Sequence, residues 1–110
     1  MNRYVKDGLL ADLLMSRHIL YVGADLVQAR HALEVVDASI AATPYADLYH
    51  VNRSTLRIDH SNGGWVRFTS ARSNNRGLTA DVVFCDCLIT QDQYAELAPI
   101  TMPTGELINA

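Results

Sequence analysis

The 110-residue sequence predicts an α/β domain: a three-layer sandwich on a mainly parallel sheet, with one β-hairpin added. Three observations predict it. Two short apolar runs, His18–Gly23 and Val82–Cys85, are rich in strand formers and lack one-sided alternation, as strands covered on both faces do. Helical periodicity follows the first run at the spacing of a βαβ unit. Between the two runs, true alternation flanks Asn62-Gly63-Gly64, which supplies the positive-φ positions of a tight hairpin.

The elements are taken in chain order. Val5, Leu9, Leu10, Leu13 and Leu14 recur at helical spacing, predicting an amphipathic helix over residues 3–16. The strand His18–Gly23 ends at a glycine. Asp25 is placed to cap the next helix, with Gln28 three residues on to reach back. Leu26, Ala29, Leu33, Val36 and Ile40 form one apolar stripe, and that helix is expected to end near Ala42, before Thr43-Pro44. In the hairpin, Leu56 and Ile58 alternate with Arg57 and Asp59, and Val66 and Phe68 alternate with Arg67 and Thr69. Residues 70–79 are polar and read as a loop. Val82–Cys85 is flanked by Asp81 and Asp86. Residues 91–98 read as a short helix, Pro99 and Pro103 interrupt regular structure after it, and Leu107-Ile108 suggest a last strand. There is no repeat and no low-complexity segment, so residues 1–110 are expected to form a single domain.

Bulk composition excludes several classes. Half the residues are hydrophobic, 49%, enough for a core. No apolar run approaches the ~18 residues that span a bilayer. The apolar stretch over residues 8–15 is short and is interrupted by Asp12, so no signal peptide is read. The two cysteines, Cys85 and Cys87, are too few and too close for a disulfide framework, which fits a reducing, intracellular setting. They are expected as free thiols, since two ligands with His18 or His60 do not make a zinc site. The four histidines stand at no catalytic spacing.

The net charge of −3 is unevenly spread. Residues 48–80 hold five arginines (Arg53, Arg57, Arg67, Arg72 and Arg76) against Asp59, whereas from Asp81 onward there are five acids and no Lys or Arg. Such a basic middle can be a phosphate- or nucleic-acid-binding face, or an ordinary solvated and internally paired surface. Trp65, beside the hairpin turn, can stack on a base or pack on a sheet edge.

The segment with the most chemistry is Arg76-Gly77-Leu78-Thr79-Ala80-Asp81-Val82-Val83-Phe84-Cys85-Asp86-Cys87. Four apolar residues ending in an acid describe a Walker B strand, whose carboxylate emerges at the C-terminal end of the sheet, where Mg²⁺ can be held. Its approach, Trp65-Val66-Arg67-Phe68-Thr69-Ser70, then a polar loop, then Arg-Gly-Leu-Thr-Ala-Asp, resembles that of phage terminase large subunits, the P-loop ATPases of DNA-packaging motors. Ile19-Leu20-Tyr21-Val22-Gly23-Ala24-Asp25 followed by Gln28-Ala29 resembles the same family. The likeness runs over residues 19–108.

The resemblance implies a truncated P-loop NTPase-like fold and a role related to viral DNA packaging in the host cytoplasm. Two departures bear on activity. In the family a Gly-rich Walker A loop with Lys and Ser/Thr precedes the first helix. Here Met1 lies inside or just before that helix, no G-x-x-x-x-G-K-[ST] occurs, and the only lysine, Lys6, is not in such a setting. The family's Walker B ends in Asp-Glu, whereas here Asp86 is followed by Cys87. A thiol, with a pKa of about 8.5, does not replace a carboxylate base.

The expectation is therefore a degenerate Walker B at Asp86 and Cys87, no ATP hydrolysis by the isolated chain, and Mg²⁺ and ATP only where another chain supplies a P-loop. Phosphate or DNA contacts would come from Arg53, Arg57, Arg67, Arg72 and Arg76. Arg72 and Arg76 lie near the DNA- or nucleotide-facing edge in that likeness, with Arg76 alternatively bracing the loop against Asp81 or Asp86. A homodimer or a protein partner is expected to cover sheet surface left open, and no membrane is expected as partner. The other expectation is a small phage-encoded interaction protein that binds a host or phage protein with the same scaffold.

Overall fold

The computed structural model describes residues 1–73, 75, 78–87 and 106–109. Helix α1 spans Arg3–Leu14, strand β1 His18–Gly23 and helix α2 Leu26–Ala41. A 3₁₀ turn, Ala46–Leu48, leads into β2 (Tyr49–Asn52), followed by β3 (Arg57–His60), β4 (Trp65–Ser70), β5 (Val82–Cys85) and β6 (Glu106–Asn109). The six strands form one mixed sheet in the order β2-β3-β4-β1-β5-β6. β4, β1, β5 and β6 run parallel to one another, and β2 and β3 join β4 as an antiparallel extension.

The hairpin register is set by its turn. Gly63 sits at φ +96° and donates to the His60 carbonyl, and the His60 amide is bonded to Gly64 O at 2.8 Å. The turn also closes α1. Asn62 Nδ2 reaches the Leu13 carbonyl at 3.1 Å, a helix-end acceptor that also takes the Ser16 amide at 3.1 Å. A Cβ on Gly64 would stand 2.8 Å from Leu13 O, so the close approach of turn to helix requires glycine there.

The helices are placed by their apolar spacing. Val5, Leu9 and Leu13 on α1, and Ala29, Ala32, Leu33, Val36 and Ile40 on α2, pack on one sheet face made of Ile19, Tyr21, Ile58, Val66, Phe68, Val82 and Phe84. The stripes are narrower than the sequence suggests. Leu14 and Leu26 are exposed, because each falls off the line of residues that meets the sheet. The opposite face buries Leu20, Val22, Val83 and Cys85 beneath Ala71, Leu78, Ala80 and Cys87. Both described helices thus share one face, and the third layer expected from the sequence, the helix over residues 91–98, lies outside the described residues.

Val82–Cys85 is interior and completely buried, as its unbroken apolar pattern predicts, with β1 on one side and β6 on the other. The edge strand β2 was not anticipated. Among the described residues, no helix is long and apolar enough to cross a membrane.

Candidate functional site

The C-terminal ends of β1 and β5 lie side by side, with Val22 opposite Cys85. The chain leaves β5 by hydrogen-bonding the Asp86 amide to the Val22 carbonyl at 2.8 Å, which fixes Asp86 beyond the sheet edge. Its carboxylate turns to the helix-covered side. There the Tyr21 hydroxyl donates to Asp86 Oδ2 at 2.5 Å, and the Met1 amine lies 3.5 Å from the same oxygen. Tyr21 is wholly buried, and burial first and the Asp86 carboxylate second push its hydroxyl far above the ordinary phenol range.

A second set of bonds ties the turn after β1 to the same point. Gln28 Nε2 donates to the Asp86 carbonyl at 2.8 Å, while Gln28 Oε1 accepts from the Ala24 amide at 2.7 Å. Asp25 Oδ1 accepts from the Gln28 amide at 2.8 Å, the expected helix cap. Gln28 reaches back to Ala24 rather than to the Asp25 amide, because its other end is held by Asp86. Gly23 keeps the turn tight: an added Cβ would lie 3.3 Å from the Ala29 amide nitrogen.

The two cysteines are free. Burial raises the Cys85 thiol to about 11 and also raises that of Cys87, to which the neighbouring Asp86 carboxylate contributes. Both are therefore poor thiolates near neutrality. Neither histidine considered with them is near: His18 begins β1, at the other end of the sheet, and His60 packs edge-on against Tyr49 at 4.6 Å on the hairpin. Among the described residues, no three His, Cys, Asp or Glu side chains gather to hold a metal ion. Mg²⁺ takes a near-octahedral set of hard oxygens. Here one Asp86 oxygen is taken by Tyr21, and the next side chain is a soft thiol.

Asp81, at the other end of β5, is engaged by backbone. Its carboxylate accepts from the His18 amide at 2.8 Å, and its own amide donates to His18 O at 2.7 Å. The polar loop before it is pinned by the buried Asn75, which bonds Thr69 Oγ1 and the Ser70 carbonyl, each at 3.1 Å. Arg76, expected either to contact phosphate or to brace the loop, lies outside the described residues.

The arginines do not form one face. Arg53 turns to α2, where it meets Glu34 at 2.8 Å and Asp37 at 2.6 Å. In this arrangement Arg53 is paired within the chain, because α2 presents two carboxylates on the turn facing the β2–β3 connection. Arg57 and Arg67 stand on the face away from α1 and α2, and Arg72 is exposed just beyond β4. Trp65 is half-buried between its neighbours. The Arg57 guanidinium lies 4.7 Å from its ring centre, and the His18 ring stacks at 5.0 Å and 15°. Arg57 comes from the strand on one side of β4 and His18 from the strand on the other. The ring is thus packed within the sheet surface, and a base would have to displace a neighbour to stack on it.

Sequence reasoning missed Tyr21 and Gln28 as partners of Asp86. A polar-tipped aromatic inside an otherwise aliphatic strand was the available signal for the first.

No family model matches the sequence, and no curated protein matches it either. Among solved structures, the chain is similar to the crystal structure of the HK97 bacteriophage large terminase, with a TM-score of 0.79 at 16% identity. That likeness covers 96% of this chain and 25% of the terminase chain, so these residues span about a quarter of the length of the protein they resemble. The architecture is therefore a terminase-like fold.

Proposed function

We propose that this chain forms the central part of a terminase-like, DNA-packaging type of ATPase fold, and that by itself it does not hydrolyse ATP. The fold likeness supports the first half of the reading. The observation that carries the second is the state of Asp86. Its carboxylate is engaged by the Tyr21 hydroxyl, and the following side chain is the thiol of Cys87, raised above its ordinary range. A Walker B pair needs one carboxylate free for Mg²⁺ and a second group able to take a proton from water near neutrality. One oxygen of Asp86 is already engaged, and the Cys87 thiol does not meet the second condition. Mg²⁺ and ATP binding would need a phosphate-binding loop, a motif these 110 residues do not contain, and would take place in the host cytoplasm.

Phosphate release from ATP by the purified chain tests this reading. Turnover is expected to stay at background with Mg²⁺, and to remain there in Cys87→Glu. Turnover above background that vanishes in Asp86→Ala would sink it.

One observation favours the second reading, an interaction protein on the same scaffold. An apolar cleft of about 410 Å³ lies where the ends of α1 and α2 meet the 3₁₀ turn, with Leu10, Leu14, Ile40, Tyr45 and Leu48 among its walls. Leu14 and Tyr45 are exposed at 65% and 64%. Exposed apolar surface around a cleft fits a protein partner, a second copy being the simplest. Light scattering that gives a dimer lost in Leu14→Glu supports it, and a monomer at every concentration removes the homodimer.

A further inference from the structure

A second, smaller cleft of about 220 Å³ opens on the sheet face away from α1 and α2, where β3, β4 and β1 meet the loop before β5. Leu20 lies at its base, residues 78–80 form the loop side, and Trp65, Arg57 and Arg67 complete the lining. Arg57 and Arg67 are direct partners across the antiparallel β3–β4 pair. Two like charges placed opposite one another on one sheet face repel and destabilise the pairing. Asp59 offsets one of them: it accepts from Arg57 Nη2 at 2.9 Å and Nε at 3.0 Å, and Trp65 covers the same guanidinium. Arg67 makes no ion pair and no hydrogen bond among the described residues, and it is exposed. Among the described residues, an uncompensated guanidinium thus stands beside a compensated one at a cleft lined by Leu20.

We propose that this cleft binds a phosphate group, with Arg67 as its principal ligand and Arg57 as the second. A guanidinium presents a planar fork of N–H donors that matches phosphate oxygens two at a time, and such charge-assisted bonds are among the stronger polar contacts. Leu20 and Trp65 exclude water from one side, which strengthens the attraction. An anion between the two arginines also removes their repulsion, so binding relieves an unfavourable feature of the free protein. The phosphate is either free or part of a nucleic-acid strand. Binding here does not depend on the packaging reading, since none of these residues takes part in the Asp86 end of the sheet.

Trp65 is the only tryptophan, so its emission reports this cleft alone. The full chain is titrated with inorganic phosphate and, separately, with a short oligothymidylate, each against sodium chloride of matched ionic strength. A saturable change in emission is expected with at least one probe, about tenfold weaker in Arg67→Ala. The change should be intermediate in Arg67→Lys, which keeps the charge but not the fork. Arg3→Ala, on the exposed side of α1, should bind as the parent does. Oligothymidylate binding that is tighter than phosphate and falls steeply with salt identifies a strand as the source. Saturation by phosphate with no tighter binding of the oligonucleotide identifies free phosphate. Silence with both probes, or full affinity retained in a folded Arg67→Ala protein, overturns the proposal.

Discussion

Two charged places in this molecule have opposite internal fates. At the C-terminal end of β5, Asp86 is satisfied by its own chain: Tyr21 donates to its carboxylate, Gln28 to its carbonyl, and its amide bonds to Val22. On the face away from α1 and α2, Arg67 faces another arginine and finds no counter-charge among the described residues. The first place is the one that the sequence marks as chemistry, through its likeness to a Walker B strand. The second carries no motif. A polar group that the fold already satisfies holds the structure together, whereas a charge left unsatisfied at a cleft is free to meet something else. The difference is one of stability against binding, and substitutions at the two places should separate accordingly.

The largest expected effect is at the satisfied end. Tyr21→Ala removes a buried ring that packs against Phe68 at 5.6 Å and takes the hydroxyl donor from Asp86. Denaturant unfolding should show a loss of about 3–5 kcal/mol. A loss under about 1 kcal/mol would mean that the Tyr21–Asp86 contact contributes little.

A second effect of the same end appears with pH. In the unfolded chain Cys85 and Tyr21 release protons near their ordinary values of 9.0 and 10.0. Burial holds Cys85 to about 11 and Tyr21 higher still in the fold. The unfolded state therefore binds fewer protons above pH 9.0, so the stabilisation is complete below that value and is lost progressively as pH rises from there through about 11. Melting temperature measured from about pH 7 to about pH 11 should begin to fall near pH 9.0. The fall should be shallower in Tyr21→Phe, which has no proton to release. An equal slope in both proteins would place the alkaline sensitivity elsewhere.

The smallest effect is at the other place. Arg67→Ala, measured without phosphate, should change unfolding free energy by no more than about 0.5 kcal/mol, and in the stabilising direction if relief of the Arg57–Arg67 opposition dominates. Destabilisation well beyond that would show that Arg67 supports the fold, and the contrast between the two places would fail.

Much of the fold was legible in the sequence because its elements declare themselves locally. The apolar run Val82–Cys85 is interior, the Asn62-Gly63-Gly64 turn joins β3 to β4, and Asp25 caps α2. What was not legible depends on partners distant in sequence. β2 has one aliphatic residue, Val51, and none of its residues is fully buried, so an edge strand of Tyr49, His50 and Asn52 offers little periodicity to read. The five arginines look alike as a charge run. Only the arrangement around them decides that Arg53 meets Glu34 and Asp37 on α2, while Arg67 meets nothing comparable among the described residues. The partners of Asp86 are likewise set by the parallel pairing of β1 with β5, which brings together residues 65 positions apart.

The central claim is that Asp86 serves as the acceptor of a structural hydrogen bond. A double-mutant cycle between Tyr21→Phe and Asp86→Ala, read as unfolding free energies in denaturant near neutral pH, tests it most directly. The single substitutions should each cost about 1–3 kcal/mol, and the double should cost less than their sum by about 1 kcal/mol or more, because the same bond is lost in each. Strict additivity would contradict the account, since it would mean that the hydroxyl and the carboxylate stabilise the fold independently and that Asp86 is not committed to Tyr21.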